Sequence, residues 1–148
     1  MLKEVYAIMS KVAVVYWSGT GNTAAMADAV EEGAATAGAA VVKVGPSGFG
    51  PEDVDKYDAI AFGCPSMGDE VLEEDEYEPM FASVEGKLSG KKIALFGSWG
   101  WGEGAWMVDW EARCKKDGAV FACDYVICQE YPDDDAIARC KALGAALA

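Results

Sequence analysis

The sequence predicts a doubly wound α/β domain, a parallel sheet of about five strands with helices on both faces. Two observations carry that reading: short β-rich apolar runs alternate with longer helix-like stretches, and the runs are apolar throughout rather than alternating. A strand apolar at every position is buried on both faces, as in a parallel sheet between two helix layers. Right-handed crossovers between parallel strands then distribute the helices over both faces. The length of 148 residues sets the scale: one domain, able to bury roughly 68–70% of the surface its unfolded chain exposes.

Taken in order, residues 1–10 hold one lysine and a short apolar stretch with no small-residue cleavage site, so they do not make a secretory signal. They are expected to be an appendage to a domain spanning 11–148, with Met9 as an alternative start that the intact mass of native protein would decide. Strands are predicted at 12–16, 41–44, 59–62 and 93–96, with a fifth across 119–128 interrupted by Asp124. Helices are predicted at 22–37, with Met26, Ala29, Val30 and Gly33 on one face, and at 76–88, 104–116 and 133–148. Residues 45–51, rich in glycine and proline, read as loop, and 52–56 as a helical turn.

Charge and composition remove whole classes of function. Twenty-five acids against twelve bases leave a net charge of −13, which opposes binding to nucleic acid or anionic membranes. No apolar run approaches the ~20 residues needed to span a bilayer. Five cysteines, none spaced C-x-x-C, read as reduced buried residues of a cytoplasmic protein, not as a disulfide framework or zinc site. Without histidine, imidazole acid–base chemistry is excluded.

In this fold, sites form where loops leave the carboxyl ends of strands. The first strand runs into Ser18, Gly19, Thr20, Gly21, Asn22 and Thr23 before a helix. Glycines that turn tightly with exposed N–H groups, hydroxyl donors and a helix start make an anion cradle. No Lys or Arg occurs between Val12 and Val42, so the loop lacks the lysine of a triphosphate-binding loop. Hydrogen bonds to a charged acceptor contribute roughly 1.5–3 kcal/mol each, so several aimed donors can hold one terminal phosphate without a cation. A plain capped turn is the competing reading of this motif alone. The same residues satisfy a loose dinucleotide pattern, but the second strand ends in Val42, Lys43 and Val44 with no acid for a ribose hydroxyl.

The third strand leads into Pro65, Ser66, Met67, Gly68, Asp69 and Glu70, a turn with a polarisable thioether and a flexible glycine, followed by acids expected to form mostly a solvated face. After the fourth come Ser98, Trp99, Gly100, Trp101 and Gly102. Trp106 and Trp110, four apart on the next helix, belong in the core. Trp99 and Trp101 sit among glycines that cannot pack a core around an indole, so one or both should wall a site for a flat ligand. Stacking on an aromatic side chain is worth roughly 1–3 kcal/mol per base.

Together these motifs resemble the flavodoxins, in the order WSGTGNT at 17–23, MGDE at 67–70 with VLEE after it, and GSWGWG at 97–102. The resemblance covers residues 11–148 and implies a strand order of 2-1-3-4-5. The short final strand region points to the short-chain branch. It implies non-covalent FMN, with residues 18–23 on the phosphate, Met67 against the inner ring face, Trp101 on the outer face and Glu70 accepting from ring N3. It further implies that the Met67–Gly68 peptide flips when an electron arrives, with Gln129, Glu130 and Tyr131 near the ring or ribityl chain. Trp99 stands where relatives often have tyrosine.

With no basic residue in the three loops, a unit charge ~12 Å from an anionic reduced flavin, at an effective dielectric near 20, contributes on the order of 1.4 kcal/mol, or about 60 mV for one electron. The expected function is a low-potential one-electron carrier, shuttling between semiquinone and hydroquinone, and not an enzyme. Its partners are expected to be reductases and electron acceptors with basic docking surfaces, met by a monomer. The alternative is a flavin-dependent NAD(P)H:quinone reductase, disfavoured by the lack of spare chain for a substrate site and of histidine. A phospho-acceptor domain needs clustered aspartates where this chain has Tyr16, Trp17, Cys64 and Pro65.

Overall fold

The computed structural model describes residues 9–67, 70–100, 102 and 104–148. Strands β1 (Lys11–Tyr16), β2 (Ala40–Val44), β3 (Ala59–Gly63), β4 (Lys92–Trp99), β5 (Val120–Phe121) and β6 (Val126–Gln129) alternate with helices α1 (Asn22–Thr36), α2 (Pro51–Val54), α3 (Tyr77–Val84), α4 (Ala105–Lys116) and α5 (Asp134–Leu147). The sheet is parallel with order β2-β1-β3-β4-β5, and β6 also pairs with β4. Fold class and strand order are those the sequence implies.

The final strand differs from its expected form. The run 119–128 is two short strands, β5 opposite Lys92 and Ile93 and β6 opposite residues 96–99 of β4. Residues 122–125, Asp124 among them, are irregular between the two, with Ala122 N–H still donating to Ile93 O at 2.9 Å. The third helix also stops early, at Val84, continuing as a 3₁₀ turn Glu85–Lys87 around Gly86. A second 3₁₀ turn, Pro46–Gly48, lies inside the loop expected at 45–51.

Burial on both faces follows the period of two along each strand. Ala13, Val15, Ile60, Phe62, Ile93 and Leu95 pack toward α3 and α4 with Phe81, Trp106 and Trp110. Val12, Val14, Ala59, Ala61 and Ala94 pack toward α1 and α5 with Met26, Val30, Cys140 and Leu143. The first layer is aromatic, with Phe81 edge-on to Phe62 at 5.2 Å and to Trp110 at 5.6 Å. The second is richer in alanine, and Gly33 and Gly144 let α1 and α5 approach closely. Cys64, Cys114 and Cys140 are buried, whereas Cys123 and Cys128 are only half-buried, and all five are free thiols. The carboxyl ends of β1, β3 and β4 lie side by side, in register Tyr16, Gly63 and Phe96, and this juxtaposition positions the site.

Candidate functional site

Beyond those strand ends lies a cleft of about 280 Å³, lined by Trp17, Gly19, Thr20, Asn22, Pro65, Ser66, Met67, Ser98, Trp99, Gly100 and Glu130. Nine of the residues singled out from sequence are thus brought together. Its lining carries no Lys or Arg.

The loop from β1 to α1 is a cradle. Gly21 takes φ +96°, a left-handed turn that a side chain would strain. Ser18 does not line the cleft; its Oγ accepts from the N–H groups of Gly21 (3.1 Å) and Ala24 (3.2 Å), capping the start of α1. The N–H groups of Thr20, Asn22 and Thr23 meet no acceptor among the described residues. Thr23 is buried behind the loop, its hydroxyl 2.8 Å from that of Ser98. One hydroxyl of that pair donates to the other, leaving one proton to offer. Unpaired donors at a helix start without a cation suit a phosphate.

The second wall is the turn after β3. Ser66 N–H donates to Ser98 O at 3.0 Å, and Met67 and Val71 exchange N–H···O bonds of 2.9 and 3.0 Å. Gly68 and Asp69, between the bridged residues in sequence, lie outside the described residues, as does Trp101. Glu70 takes φ +61°. It does not line the cleft: its carboxylate reaches across to Gly102, where any side chain would collide with it. Glu70 Oε1 is buried there with no hydrogen-bond partner among the described residues, an acceptor without a donor between the turn and the aromatic loop. Trp99 ends β4 rather than sitting in the loop, half-buried, with its carbonyl accepting from Glu130 N–H at 2.7 Å.

Trp17, the first residue of the cradle motif, and Glu130, which the resemblance implies near the ring or ribityl chain, also line the cleft. The bulk of Trp17 at a strand end was the available signal. Glu130 has φ +57°. Among the described residues Glu70 and Glu130 are the two non-glycine residues with positive φ, and both border this site, where backbone strain of order 1–3 kcal/mol is commonly kept.

Within the acidic run Glu73 departs from the solvated face expected of its neighbours. It is buried, and its carboxylate accepts from the N–H groups of Asp75, Glu76 and Tyr77, each at 2.8 Å. Burial pushes its carboxyl up, but the N–H groups of Tyr77, Glu76 and Asp75 together hold it below the ordinary glutamate value. A carboxyl lowered by folding stabilises fully above its unfolded pKa of ~4.3 and loses that contribution as pH falls through the lower folded value. Glu73→Ala leaves those donors unpaired and costs about 2–3 kcal/mol at pH 7. Urea unfolding at pH 7 and pH 3 checks it: the gap between parent and variant narrows at the lower pH, and a constant gap would contradict the assignment.

The family model described as flavodoxin matches residues 14–143. The flavodoxin of Megasphaera elsdenii is 46% identical over 137 residues, covering 93% of this chain and 98% of that protein. The flavodoxin of Clostridium beijerinckii is 45% identical over 121 residues, covering 82% and 88%. The solution structure of the two-electron reduced Megasphaera elsdenii flavodoxin superposes with a TM-score of 0.84, covering 92% of this chain and 97% of that one.

Proposed function

Because the chain belongs to the flavodoxin family, whose members are electron-transfer proteins, we propose that it carries single electrons at low potential on non-covalently held FMN. The carrying observation is the cleft itself, a cradle of unpaired N–H and hydroxyl groups joined to a thioether and an indole, with no cation in its lining. The residues fit the cofactor. Residues 18–23 would hold the phosphate, with Ser18 ordering the loop from behind and Ser98 supporting Thr23. Met67 and Trp99 would border the ring; Gly68, Asp69 and Trp101, outside the described residues, are expected there from the resemblance; and Glu70 Oε1, unpartnered though outside the cleft lining, would supply the acceptor that a ring N–H needs.

FMN supplies the redox chemistry; the chain sets its energetics. Trp17, Pro65 and Trp99 line the cleft and would exclude water from a ring held there, which would strengthen electrostatic effects inside it. Glu70, Glu73, Glu74, Asp75 and Glu76 place negative charge on one side, and no cation in the lining offsets it. Added negative charge on a ring held there would therefore be disfavoured, so on this reading the low-potential couple would be the one between the half-reduced and fully reduced states. Potentiometric titration of the reconstituted protein should give two resolved one-electron steps, the second below the potential of free FMN. A single unresolved two-electron wave would contradict this.

Residues 11–148 are the FMN-binding unit of this reading, with 1–10 as its expected appendage, of which 1–8 lie outside the described residues. A net charge of −13 suits transient docking, as a monomer, on basic faces of reductases and acceptors, at rates that fall as salt rises. Five free thiols suit a reducing cytoplasm. No helix among the described residues is long and apolar enough to cross a membrane.

A further inference from the structure

We propose that Trp17 and Glu76 form a positioning pair that couples the phosphate cradle to the acidic segment after β3, so that phosphate affinity depends on a carboxylate that does not line the cleft. The proposal rests on the FMN reading above.

Trp17 is anchored at its backbone, where its N–H donates to Gly63 O at 3.1 Å. Its indole then lies under the cradle. A Cβ built on Gly19 would sit 2.9 Å from Trp17 Cη2 and 3.2 Å from Cζ3, so the loop rests directly on the six-membered ring. At its other edge the indole Nε1 donates to Glu76 Oε2 at 2.9 Å, across 59 residues of sequence.

Glu76 is itself fixed. Its N–H and that of Tyr77 donate to Glu73 Oε1, each at 2.8 Å. Glu73 N–H reaches Cys64 Sγ at 3.4 Å, and Tyr77 Oη donates to Val15 O at 2.8 Å, returning to the strand that leads into Trp17. The indole is therefore held at both edges by a closed circuit through β1, the 73–77 segment and back. Freed from Glu76, it can turn about its side-chain bonds and Gly19 loses its floor. An exposed hydrogen bond of this kind adds little to folding; its effect is pre-organisation, paid in advance of ligand binding.

The charge of Glu76 acts in the opposite direction, because a carboxylate near an anion cradle repels phosphate. If Glu76 acted by charge alone, neutralising it would tighten FMN binding. If it acts as the indole's acceptor, glutamine should serve as well and alanine should not.

The test is the affinity of FMN and of riboflavin for apoprotein of the parent, Trp17→Phe, Glu76→Ala, Glu76→Gln and the Trp17→Phe/Glu76→Ala double variant, read by quenching of flavin fluorescence. Glu76→Ala should weaken FMN by roughly fivefold to tenfold while riboflavin changes less than about twofold, since loss of one ordinary solvent-exposed hydrogen bond has that scale. Trp17→Phe should weaken FMN at least as much, the double variant should be no weaker than Trp17→Phe alone, and Glu76→Gln should stay within about twofold of the parent. Equal losses for both flavins, additive losses in the double variant or unchanged FMN binding by Glu76→Ala each overturn the coupling. Parent apoprotein that binds neither flavin overturns the FMN reading and the coupling with it, whereas a binding parent with an unaffected Glu76→Ala sinks the coupling alone.

Discussion

A Thr20→Asp variant keeps the parent's stability and loses about 100-fold in affinity for FMN. Thr20 is exposed and lines the cleft, and its backbone N–H is among those without an acceptor. The fold therefore does not depend on its side chain. The cradle has no Lys or Arg between Val12 and Val42, so nothing local would neutralise a new carboxylate. A charge ~5 Å from a phosphate, at an effective dielectric near 20, costs on the order of 3 kcal/mol per unit charge before salt screening. That is a factor of about 100, and it should shrink as salt rises. Thr20→Asn, of the same shape without the charge, separates electrostatics from sterics and should lose only about threefold. Riboflavin affinity is the second control: it should be nearly the same in all three proteins. Comparable loss of riboflavin by Thr20→Asp would show that residues 18–23 face some other part of the ligand.

Gly33→Ala destabilises the domain by about 2–3 kcal/mol, as does Gly144→Ala. In an exposed helix interior the same change is favourable by up to ~1 kcal/mol, because alanine is the better helix former. The sign reverses at the crossing of α1 and α5. A methyl on Gly33 would overlap the backbone carbonyl of Lys141, and one on Gly144 the carbonyl of Val30. Backbone cannot rotate away, so the helices must separate and open the layer formed by Met26, Val30, Cys140 and Leu143. Overpacking of this kind typically costs 1–3 kcal/mol, and rigid obstacles place it at the upper end. For a domain of this size the midpoint of thermal unfolding should fall by about 6–10 °C. The double variant should lose less than the sum, since one separation relieves both overlaps. An unchanged midpoint in either single variant would mean that the two helices do not touch at these residues.

The central strands were legible because burial on both faces leaves runs with no polar residue, as at Val12 to Val15 and Ile60 to Phe62. The edges were less so. In β2 Val42 is 42% exposed, so apolarity there does not report burial, and at the far edge a single apolar run proved to be two strands. The cradle could be read directly because its chemistry is local: glycines, hydroxyls and a missing cation are visible in a single stretch. Glu73 could not be told from Glu74 or Asp75 in a run of acids, since only the path of the chain turns one of them inward onto three N–H groups. The contacts of Gly33 and Gly144 are likewise invisible in sequence, being a property of two helices 100 residues apart. Trp17 stood in a recognised motif, yet its use as the floor under Gly19 depends on Glu76, which sequence places far away.

The most direct test of the account is titration of the parent apoprotein with FMN, followed by visible absorbance and quenching of flavin fluorescence. Saturation is expected at one FMN per chain, with a dissociation constant below ~1 μM and riboflavin bound at least roughly tenfold more weakly. Apoprotein that stays colourless with excess FMN, or that takes up riboflavin as tightly as FMN, would contradict it.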